Sequence, residues 1–301
     1  RRMIVIYGQH SPDDLIQKIN SRKDKYNVCA TASVYMGYKP LYEKIMDYEA
    51  VVLCDLPTKM RNPILKFCFD QNKRTYITPK ISDIILNGTE AIHLFDSPLM
   101  LSRNRGLTIE QRFVKRTMDI VLSLIAIIIS SPVLLLIAFA IKLYDRGPVF
   151  YRQERLTRDG EIFKIIKFRS MRMDSEADGA QLAKKGDSRI TPVGRVIRRI
   201  HVDELPQLFN VLKGDMSLVG PRPERPFFVE KFREEIPRYM VKHQVRPGLT
   251  GWAQVNGLRG DTSIRKRIEY DLYYIENWTV GFDIKIIFMT FFTGFINKNA
   301  Y

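Results

Sequence analysis

The sequence predicts an α/β protein with a small Rossmann-like parallel-sheet domain, then a kinked re-entrant membrane helix, then a mixed α/β domain with membrane-surface helices. Three observations predict it. Strand and helix patterns alternate at short intervals near the start, one long run carries no charge, and turn-rich motifs with clustered charges follow that run. We expect the first domain over residues 1–100, a linker over 101–112, the membrane helix over 113–145 and the second domain over 146–301.

Composition narrows the compartment and the partners. The chain has 301 residues, of which 45% are hydrophobic, so it can bury the cores of two domains. Its net charge of +15 favours nucleic acid, an anionic membrane surface or a phosphorylated substrate as a partner. We find no recognition-helix pattern, zinc-ligand spacing or RRM-like aromatic string, so we expect no nucleic-acid partner. The three cysteines, Cys29, Cys54 and Cys68, lack paired spacing, which predicts reduced thiols in the cytosol and no zinc site.

The first domain is predicted from four apolar, strand-like runs. These runs are Met3–Tyr7, Asn27–Ala32, Ala50–Cys54 and Arg74–Thr78. Helical patterns lie between them, and this alternation favours a parallel sheet. The turn after the first run reads GQHSP and lacks the GxGxxG pattern that lets a backbone approach a pyrophosphate. We therefore expect a scaffolding or regulatory domain, with a retained nucleotide ligand as the open alternative.

The run from Ile120 to Ile141 contains no charged residue, and as a helix it would be about 33 Å long, enough to cross a bilayer core. Ser131 and Pro132 interrupt it, which predicts a kink because proline removes a backbone hydrogen bond for which serine can compensate. Basic residues flank both ends, namely Lys115, Arg116, Lys142 and Arg146. Because Lys and Arg favour the cytoplasmic side, we expect the helix to enter and leave on the same face. A kinked spanning helix and a buried soluble helix are the alternatives.

Two stretches of the second domain have a distinctive composition. Residues 173–186 are polar, which favours a mobile loop or lid. The run that begins at Asp283 is rich in aromatic residues and has Lys285 and Lys298 near its edges. This pattern favours a helix at the membrane surface, and packing into the core is the alternative.

The stretch Arg195–Leu208 concentrates charge. Basic residues recur about one helical turn apart and are followed by two adjacent carboxylates, Asp203 and Glu204. Pro206 suits the first turn of a helix, which would put the carboxylates at a helix start, where phosphate groups also bind well. An acidic surface turn is the alternative for this stretch taken alone.

Three more strings accompany this stretch: KFRSM at 167–171, NVLKGDMSLVGPRP at 210–223 and VRPGLTGWAQVNG at 245–257. In the second string Arg222 stands between two prolines, a stiff mount for a guanidinium that suits phosphate oxygens. In the third string, closely spaced glycines beside Trp252 allow tight turns against a flat aromatic surface. Together the strings predict a pocket for a phosphate-linked ligand beside a membrane.

Because these strings occur in this order and spacing, residues 112–301 resemble the bacterial sugar transferases, the monotopic phosphoglycosyl transferase superfamily. The ending from Tyr270 and the Rossmann-like domain more narrowly resemble the long-form undecaprenyl-phosphate glucose phosphotransferases. Long-form members carry extra N-terminal transmembrane helices. This chain starts Arg1-Arg2-Met3, so we expect it to be a fragment with a truncated start.

The resemblance implies an enzyme at the cytoplasmic face of the bacterial inner membrane. It would transfer a sugar-1-phosphate from a UDP-sugar to undecaprenyl phosphate and so begin exopolysaccharide or capsule synthesis. Glucose is the expected sugar, and galactose or an N-acetylated, deoxygenated sugar is the alternative. The resemblance also implies a phospho-aspartate intermediate, Mg²⁺ as cofactor and the lipid bilayer as a partner. The oligomeric state is open, and a homodimer is one expectation.

The resemblance assigns roles to three acidic residues. The family's Asp-Glu dyad falls on Asp203, the implied nucleophile, and Glu204, an implied Mg²⁺ ligand. Asp203 and Asp271 are further candidate metal ligands. The spacing also allows Asp271 to pair with Arg267 on one helix face.

The resemblance also assigns phosphate ligands and the helix break. Arg198 and Arg222 match family arginines expected to bind phosphate oxygens. Short-form relatives have an arginine directly after VNG, whereas this chain has a leucine there, so Arg259 would take the role one position later. Ser131-Pro132 matches the break in the family's re-entrant helix.

A catalytically inactive, membrane-associated regulator of polysaccharide assembly is the alternative from another functional class. It would bind nucleotide through the first domain and partners through the rest. The intact dyad beside GPRP and a glycine-rich loop favours the enzyme.

Overall fold

The computed structural model describes residues 2–22, 24–102, 106–173, 187–236, 239–258 and 262–296. The chain divides into two compact units, Arg1–Leu86 and Asn87–Tyr301. The elements as far as residue 87 are β1 Arg2–Tyr7, α1 Asp13–Asn20, β2 Asn27–Ser33, α2 Tyr38–Met46, β3 Ala50–Cys54, α3 Thr58–Asp70, β4 Arg74–Ile77 and α4 Ile81–Asn87. The later elements are β5 Glu90–Leu94, β6 Ser97–Leu101, α5 Ile109–Asp145, β7 Phe150–Leu156, β8 Ile162–Phe168, α6 Pro192–Arg199, α7 Gln207–Lys213, β9 Ser217–Val219, α8 Pro226–Glu235, β10 Gly248–Thr250, α9 Trp252–Val255, α10 Ile264–Glu276 and α11 Val280–Ile296.

The first unit is built on a four-stranded parallel sheet with the order β2-β1-β3-β4. Alternate residues of β1 enter opposite faces of this sheet. Ile4 packs with Leu41 of α2 and Ile64 of α3, whereas Val5 packs with Leu15 of α1. Both faces are therefore covered, as parallel strands require. The predicted parallel α/β fold of this unit is confirmed.

The second unit has its main core where α5, α7, α10 and α11 meet two short strands. Val211, Val219 and Ile286 are fully buried there. β9 and β10 form a parallel pair, and β7 and β8 form an antiparallel hairpin. This mixed α/β arrangement agrees with the fold class predicted for the second domain.

α5 is the one helix of the described ranges that is long and apolar enough to cross a membrane. The Ser131 hydroxyl donates to the Ile128 carbonyl oxygen at 2.8 Å, and this is the acceptor that the missing N–H of Pro132 leaves without its helical donor. The apolar side chains nearby are open, since Ile128 is 70% and Leu135 is 71% exposed. The α-helix continues through Ser131-Pro132, so the kink predicted there stays a prediction.

Both ends of α5 contact other elements of the second unit. Near its start, Arg116 donates to the carbonyl oxygens of Val211 and Leu212 at 2.5 and 2.6 Å. Near its end, Ile141 is buried and packs against Phe168. The exposed apolar stretch lies between these two anchored regions.

α11 has a buried side and an exposed side. Asp283 is fully buried and accepts hydrogen bonds from Lys115 Nζ at 2.6 Å, Tyr274 Oη at 2.7 Å and Trp278 Nε1 at 3.1 Å. This one carboxylate connects α5, α10 and α11. On the opposite side Phe288 is 62% exposed. The helix therefore packs into the core along one side and presents aromatic side chains along the other.

Replacing Asp283 by alanine should lower the free energy of unfolding by about 3–5 kcal/mol, because the Lys115 ammonium would stay buried without its counter-charge. Thermal or denaturant unfolding of the detergent-solubilised protein, followed by tryptophan fluorescence, measures the change. Glu234→Ala removes an exposed carboxylate from α8 and is the matched control, which should change stability little. Equal stability of the two variants would contradict the structural role of Asp283.

Candidate active site

The predicted dyad lies in a short 3-10 helix, Val202–Glu204, that comes between α6 and α7. His201 precedes it with φ at 56°, a left-handed conformation that turns the chain sharply. Pro206 is the residue directly before α7. The two carboxylates therefore lie in a tight turn just before the start of that helix.

Glu204 is held by cations from two separate segments. Its Oε1 accepts hydrogen bonds from Lys167 Nζ at 2.6 Å and from Arg222 Nη2 at 3.0 Å. Burial alone would raise the pKa of Glu204, but the charges and hydrogen bonds of Arg222 and Lys167 outweigh it and hold the pKa well below its ordinary value. Glu204 is therefore ionised at neutral pH, and it fixes the positions of both cations.

Asp203 is in a different electrostatic environment. Its side chain is buried, and no cation of the described residues lies within ion-pair distance of it. Burial, together with the adjacent charge of Glu204, raises the pKa of Asp203 to about 6, although Lys167 and Arg198 act in the opposite direction. The ionised form that Asp203 has at neutral pH therefore lowers the free energy of unfolding. A strongly shifted pKa of this kind is common in functional groups.

The strand that carries Lys167 is attached to α7 by one buried side chain. Asn210 Nδ2 donates to the Lys164 carbonyl oxygen, and Asn210 Oδ1 accepts from the Ile166 N–H, each at 2.9 Å. The amide thus forms the hydrogen bonds with backbone groups of β8 that a neighbouring strand would otherwise form. This contact places Lys167 next to the helix that follows the dyad.

Gly220 and Gly194 allow close backbone contacts near Arg222 and Arg198. A Cβ at Gly220, two residues before Arg222, would lie 2.5 Å from the Arg246 carbonyl oxygen. A Cβ at Gly194 of α6 would lie 1.9 Å from the Ser170 carbonyl oxygen. Neither position admits a side chain. The GPRP loop is thereby held against the segment before β10, and α6 against the KFRSM segment.

Arg198 has an unmet hydrogen-bonding requirement. Its Nη1 is buried, and the part of the chain that the structure describes supplies no acceptor for it. A buried guanidinium N–H is costly unless a ligand provides the acceptor. Arg198 also acts electrostatically on Asp203, so it suits an anion bound beside that carboxylate. Arg259, the third predicted phosphate ligand, lies outside the described residues, as does most of the predicted loop at 173–186.

Two further cations of the site were not identified from the sequence. Lys167 belongs to the KFRSM string, but nothing in that string indicates that it pairs with Glu204. Arg155 of β7 belongs to none of the strings, and burial, followed by the charge of Arg222, lowers its pKa to about 10. The site brings together more cations than carboxylates, which suits a diphosphate. The cations are Arg155, Lys167, Arg198 and Arg222.

Asp271 lies in a different group of charges. It is buried on α10, and burial raises its pKa to about 6, with Lys242 opposing and Glu224 adding to the shift. Arg267, one turn away, donates to Glu224 at 3.4 Å. In the described ranges no three His, Cys, Asp or Glu side chains lie close enough together to hold a metal ion. The metal-binding role of Asp271 therefore stays a prediction.

Comparison with known proteins identifies relatives of the second unit. The bacterial sugar transferase family matches residues 110–297. Over 220 residues the chain is 47% identical to the UDP-glucose:undecaprenyl-phosphate glucose-1-phosphate transferase of Escherichia coli. This alignment covers 72% of this chain and 46% of the relative. Over 188 residues it is 52% identical to the UDP-N-acetylgalactosamine-undecaprenyl-phosphate N-acetylgalactosaminephosphotransferase of Aeromonas hydrophila, covering 61% and 44%. Over 231 residues it is 39% identical to the undecaprenyl-phosphate galactose phosphotransferase of Salmonella typhimurium, covering 71% and 48%. The chain spans about half the length of these curated relatives.

Replacing Asp203 by asparagine should stabilise the protein at neutral pH by roughly 2–3 kcal/mol. The reason is that folding raises the pKa of this carboxyl from 3.8 to about 6, so its ionised form opposes folding. The difference should be absent below pH 3.8, where the carboxyl is neutral in both states, should grow towards pH 6 and should then stay constant. Unfolding midpoints measured across this range test it. The control Asp70→Asn removes an exposed carboxylate from α3 and should change the stability little at neutral pH. A destabilised Asp203→Asn at neutral pH would contradict the assignment.

Proposed function

We propose that this chain, which belongs to the bacterial sugar transferase family, transfers a sugar-1-phosphate from a UDP-sugar to undecaprenyl phosphate. The names of the three relatives above all include undecaprenyl phosphate. The observation that carries the proposal is the contrast within the dyad. Glu204 is neutralised by two fixed cations, whereas Asp203 beside it is buried without an ion-pair partner in the described residues.

Asp203 is the nucleophile of the proposed reaction. Its carboxylate oxygen attacks the β-phosphorus of the UDP-sugar, the phosphoanhydride bond breaks, and its electron pair leaves with UMP. In the second step a phosphate oxygen of undecaprenyl phosphate attacks the phosphorus of the aspartyl phosphosugar. The carboxylate is then released and the lipid carries the diphosphosugar. Two steps allow one site to serve a soluble donor and a membrane-bound acceptor in turn.

The fixed cations support both steps. Lys167 and Arg222 are held by Glu204 before a substrate binds, so little reorganisation is needed to stabilise the charge that develops on the transferred group. Arg198 offers a buried N–H to a phosphate oxygen. Glu204 itself is a poor nucleophile because its ion pairs hold its pKa low. The two neighbouring carboxylates therefore take different roles.

The dyad also fits the Mg²⁺ that the family resemblance implies. Mg²⁺ in phosphoryl-transfer sites takes one or two carboxylates together with substrate phosphates and water, so two adjacent acids are enough. Asp203 and the second carboxylate oxygen of Glu204 would hold the ion, because Lys167 and Arg222 both donate to Glu204 Oε1. The ion would neutralise charge on the diphosphate and on the departing UMP.

We propose glucose as the donor sugar, with galactose as the second candidate. Two relatives named for UDP-glucose are 47% and 48% identical over 220 residues, and the relative named for galactose is 39% identical. The relative named for N-acetylgalactosamine is 52% identical over a shorter stretch. The rates at which the purified protein turns over UDP-glucose, UDP-galactose and UDP-N-acetylgalactosamine would show which donor it prefers. The lipid-linked product would enter exopolysaccharide or capsule synthesis.

We propose that α5 enters and leaves the inner membrane on its cytoplasmic face. The support is that its two ends contact α7 and β8 of the same unit, whereas a straight crossing would separate those contacts by about 30 Å of hydrocarbon. The Ser131 hydroxyl already satisfies the carbonyl freed by Pro132, which lowers the cost of a bend. Val202, adjacent to Asp203, packs in the same cluster as Ile141 near the end of α5. This contact supports a position of the dyad close to the boundary between water and lipid.

With UDP-glucose and Mg²⁺ but no lipid acceptor, the purified protein should gain the mass of one hexose phosphate, and Asp203→Asn should abolish the gain. Mass spectrometry of the intact protein and its peptides measures both. Asp70→Asn, which removes an exposed carboxylate from α3, should label normally. A label that persists in Asp203→Asn would refute the nucleophile assignment. A folded protein with neither label nor turnover would favour the regulator.

Single cysteines placed at Glu110, in the first turn of α5, and at Arg152, beyond its end, should both react with a membrane-impermeant maleimide from the cytoplasmic side. The background would have the native cysteines replaced by serine, since Cys29 is exposed. Labelling is compared between inside-out vesicles and intact spheroplasts, with permeabilised cells as the control for reactivity. Reaction of the two positions from opposite sides would establish a spanning helix instead.

A further inference from the structure

A second concentration of positive charge lines a cavity at the start of α5, away from the dyad. Five cationic side chains line it, namely Arg112, Lys115, Arg116, Arg158 and Arg246. Asp119 is the single acidic side chain of the lining. The cavity is partly open to solvent. None of these residues takes part in the proposed reaction.

Internal partners neutralise some of this charge. Lys115 pairs with Asp283 at 2.6 Å, and Arg158 pairs with Asp159 at 2.9 Å. Asp119 is occupied as well, because its Oδ1 accepts two hydrogen bonds from β9. The acidic groups near the cavity are therefore committed to partners within the protein.

Arg116 and Arg246 have no ion-pair partner among the residues that the structure describes. Arg116 donates to two carbonyl oxygens of α7, which leaves its formal charge in place. Burial, and then the charges of Arg116, Arg158 and Arg112, lower the pKa of Arg246, as expected where like charges are held together. An anion in this cavity would relieve that repulsion.

The position of the cavity along α5 indicates where its ligand comes from. Arg116 precedes Val121, the first exposed residue of the uncharged run 120–141, by five positions, or about 7.5 Å of helix. On the same turns Ile109 is 84% and Phe113 is 74% exposed. If the apolar stretch of α5 lies in hydrocarbon, as proposed above, the cavity lies at the level of the lipid headgroups.

We propose that this cavity is a phosphate-binding site separate from the active site. Arg246 suits a phosphate because a guanidinium can donate two parallel hydrogen bonds to phosphate oxygens, and Arg116 adds its charge while its own donors are held by α7. The phosphate can belong to an anionic lipid headgroup or to a free anion in solution, and the two sources are separated by experiment. The site itself does not depend on the proposed transferase reaction, and only the lipid source depends on the proposed membrane insertion of α5.

The first experiment measures the binding of inorganic phosphate in detergent. The background is Arg198→Gln/Arg222→Gln, which weakens phosphate binding at the active site by removing two of its four cations. Isothermal titration calorimetry should show one binding event that Arg246→Gln weakens by about tenfold or more. Arg233→Gln, which removes an exposed charge from α8, should leave the affinity unchanged. Arg158→Gln, farther from the core, should weaken binding as well and serves if Arg246→Gln does not fold.

The second experiment identifies the source of the phosphate. The protein is reconstituted in vesicles of phosphatidylcholine with or without phosphatidylglycerol, and the lipids that remain bound in mild detergent are identified by mass spectrometry. Phosphatidylglycerol retained by the parent and lost in Arg246→Gln assigns the site to a lipid headgroup. Phosphate binding without a lipid preference assigns it to a soluble anion.

Absence of phosphate binding in the background protein, or equal affinity in the Arg246→Gln and Arg233→Gln variants, would overturn the proposal. UMP release by the parent chain is measured in parallel. Failure of the proposed transfer reaction and failure of the phosphate site are therefore separate results.

Discussion

The geometry of the candidate active site depends on the ion pairs that Glu204 forms with Lys167 and Arg222. This carboxylate takes Lys167 from β8 and Arg222 from the loop after β9, so it joins segments that are far apart in the sequence. The two cations offset the cost of burying it, and they leave Asp203 without a comparable partner in the described residues. One environment thus lowers the pKa of one acid and raises that of its neighbour, a pattern that separates chemical roles between adjacent carboxylates.

The same site is supported by the apolar helix. Phe168 follows Lys167 directly, Val202 precedes Asp203, and both pack in the cluster formed with Ile141 near the end of α5. Phe168 and Val202, which adjoin the two key charges, are therefore positioned by packing against the end of α5. Removing α5 from its environment would disturb the geometry of the dyad as well as the attachment of the protein to the bilayer.

Local patterns predicted the parts of this molecule that local physics determines. The first unit followed from continuous apolar runs, because strands of a parallel sheet are buried on both faces. The dyad was found from its adjacent charges and family motifs, whereas its ion pair with Lys167 spans 37 residues and leaves no local signal. Arg155 lies outside every motif. Asp283 looked like the polar start of an aromatic helix, because its partner Lys115 is equally remote in the sequence.

That remoteness has a consequence for biogenesis. Lys115 and Asp283 are 168 residues apart, so during synthesis the base of α5 emerges long before the carboxylate that neutralises it. Contacts of such high sequence separation form slowly, because a long loop has to close first. Docking of α11 is then a late step of assembly. A ribosome that stalled before Asp283 would leave a membrane-attached chain with an open core, which is a substrate for chaperones and quality-control proteases.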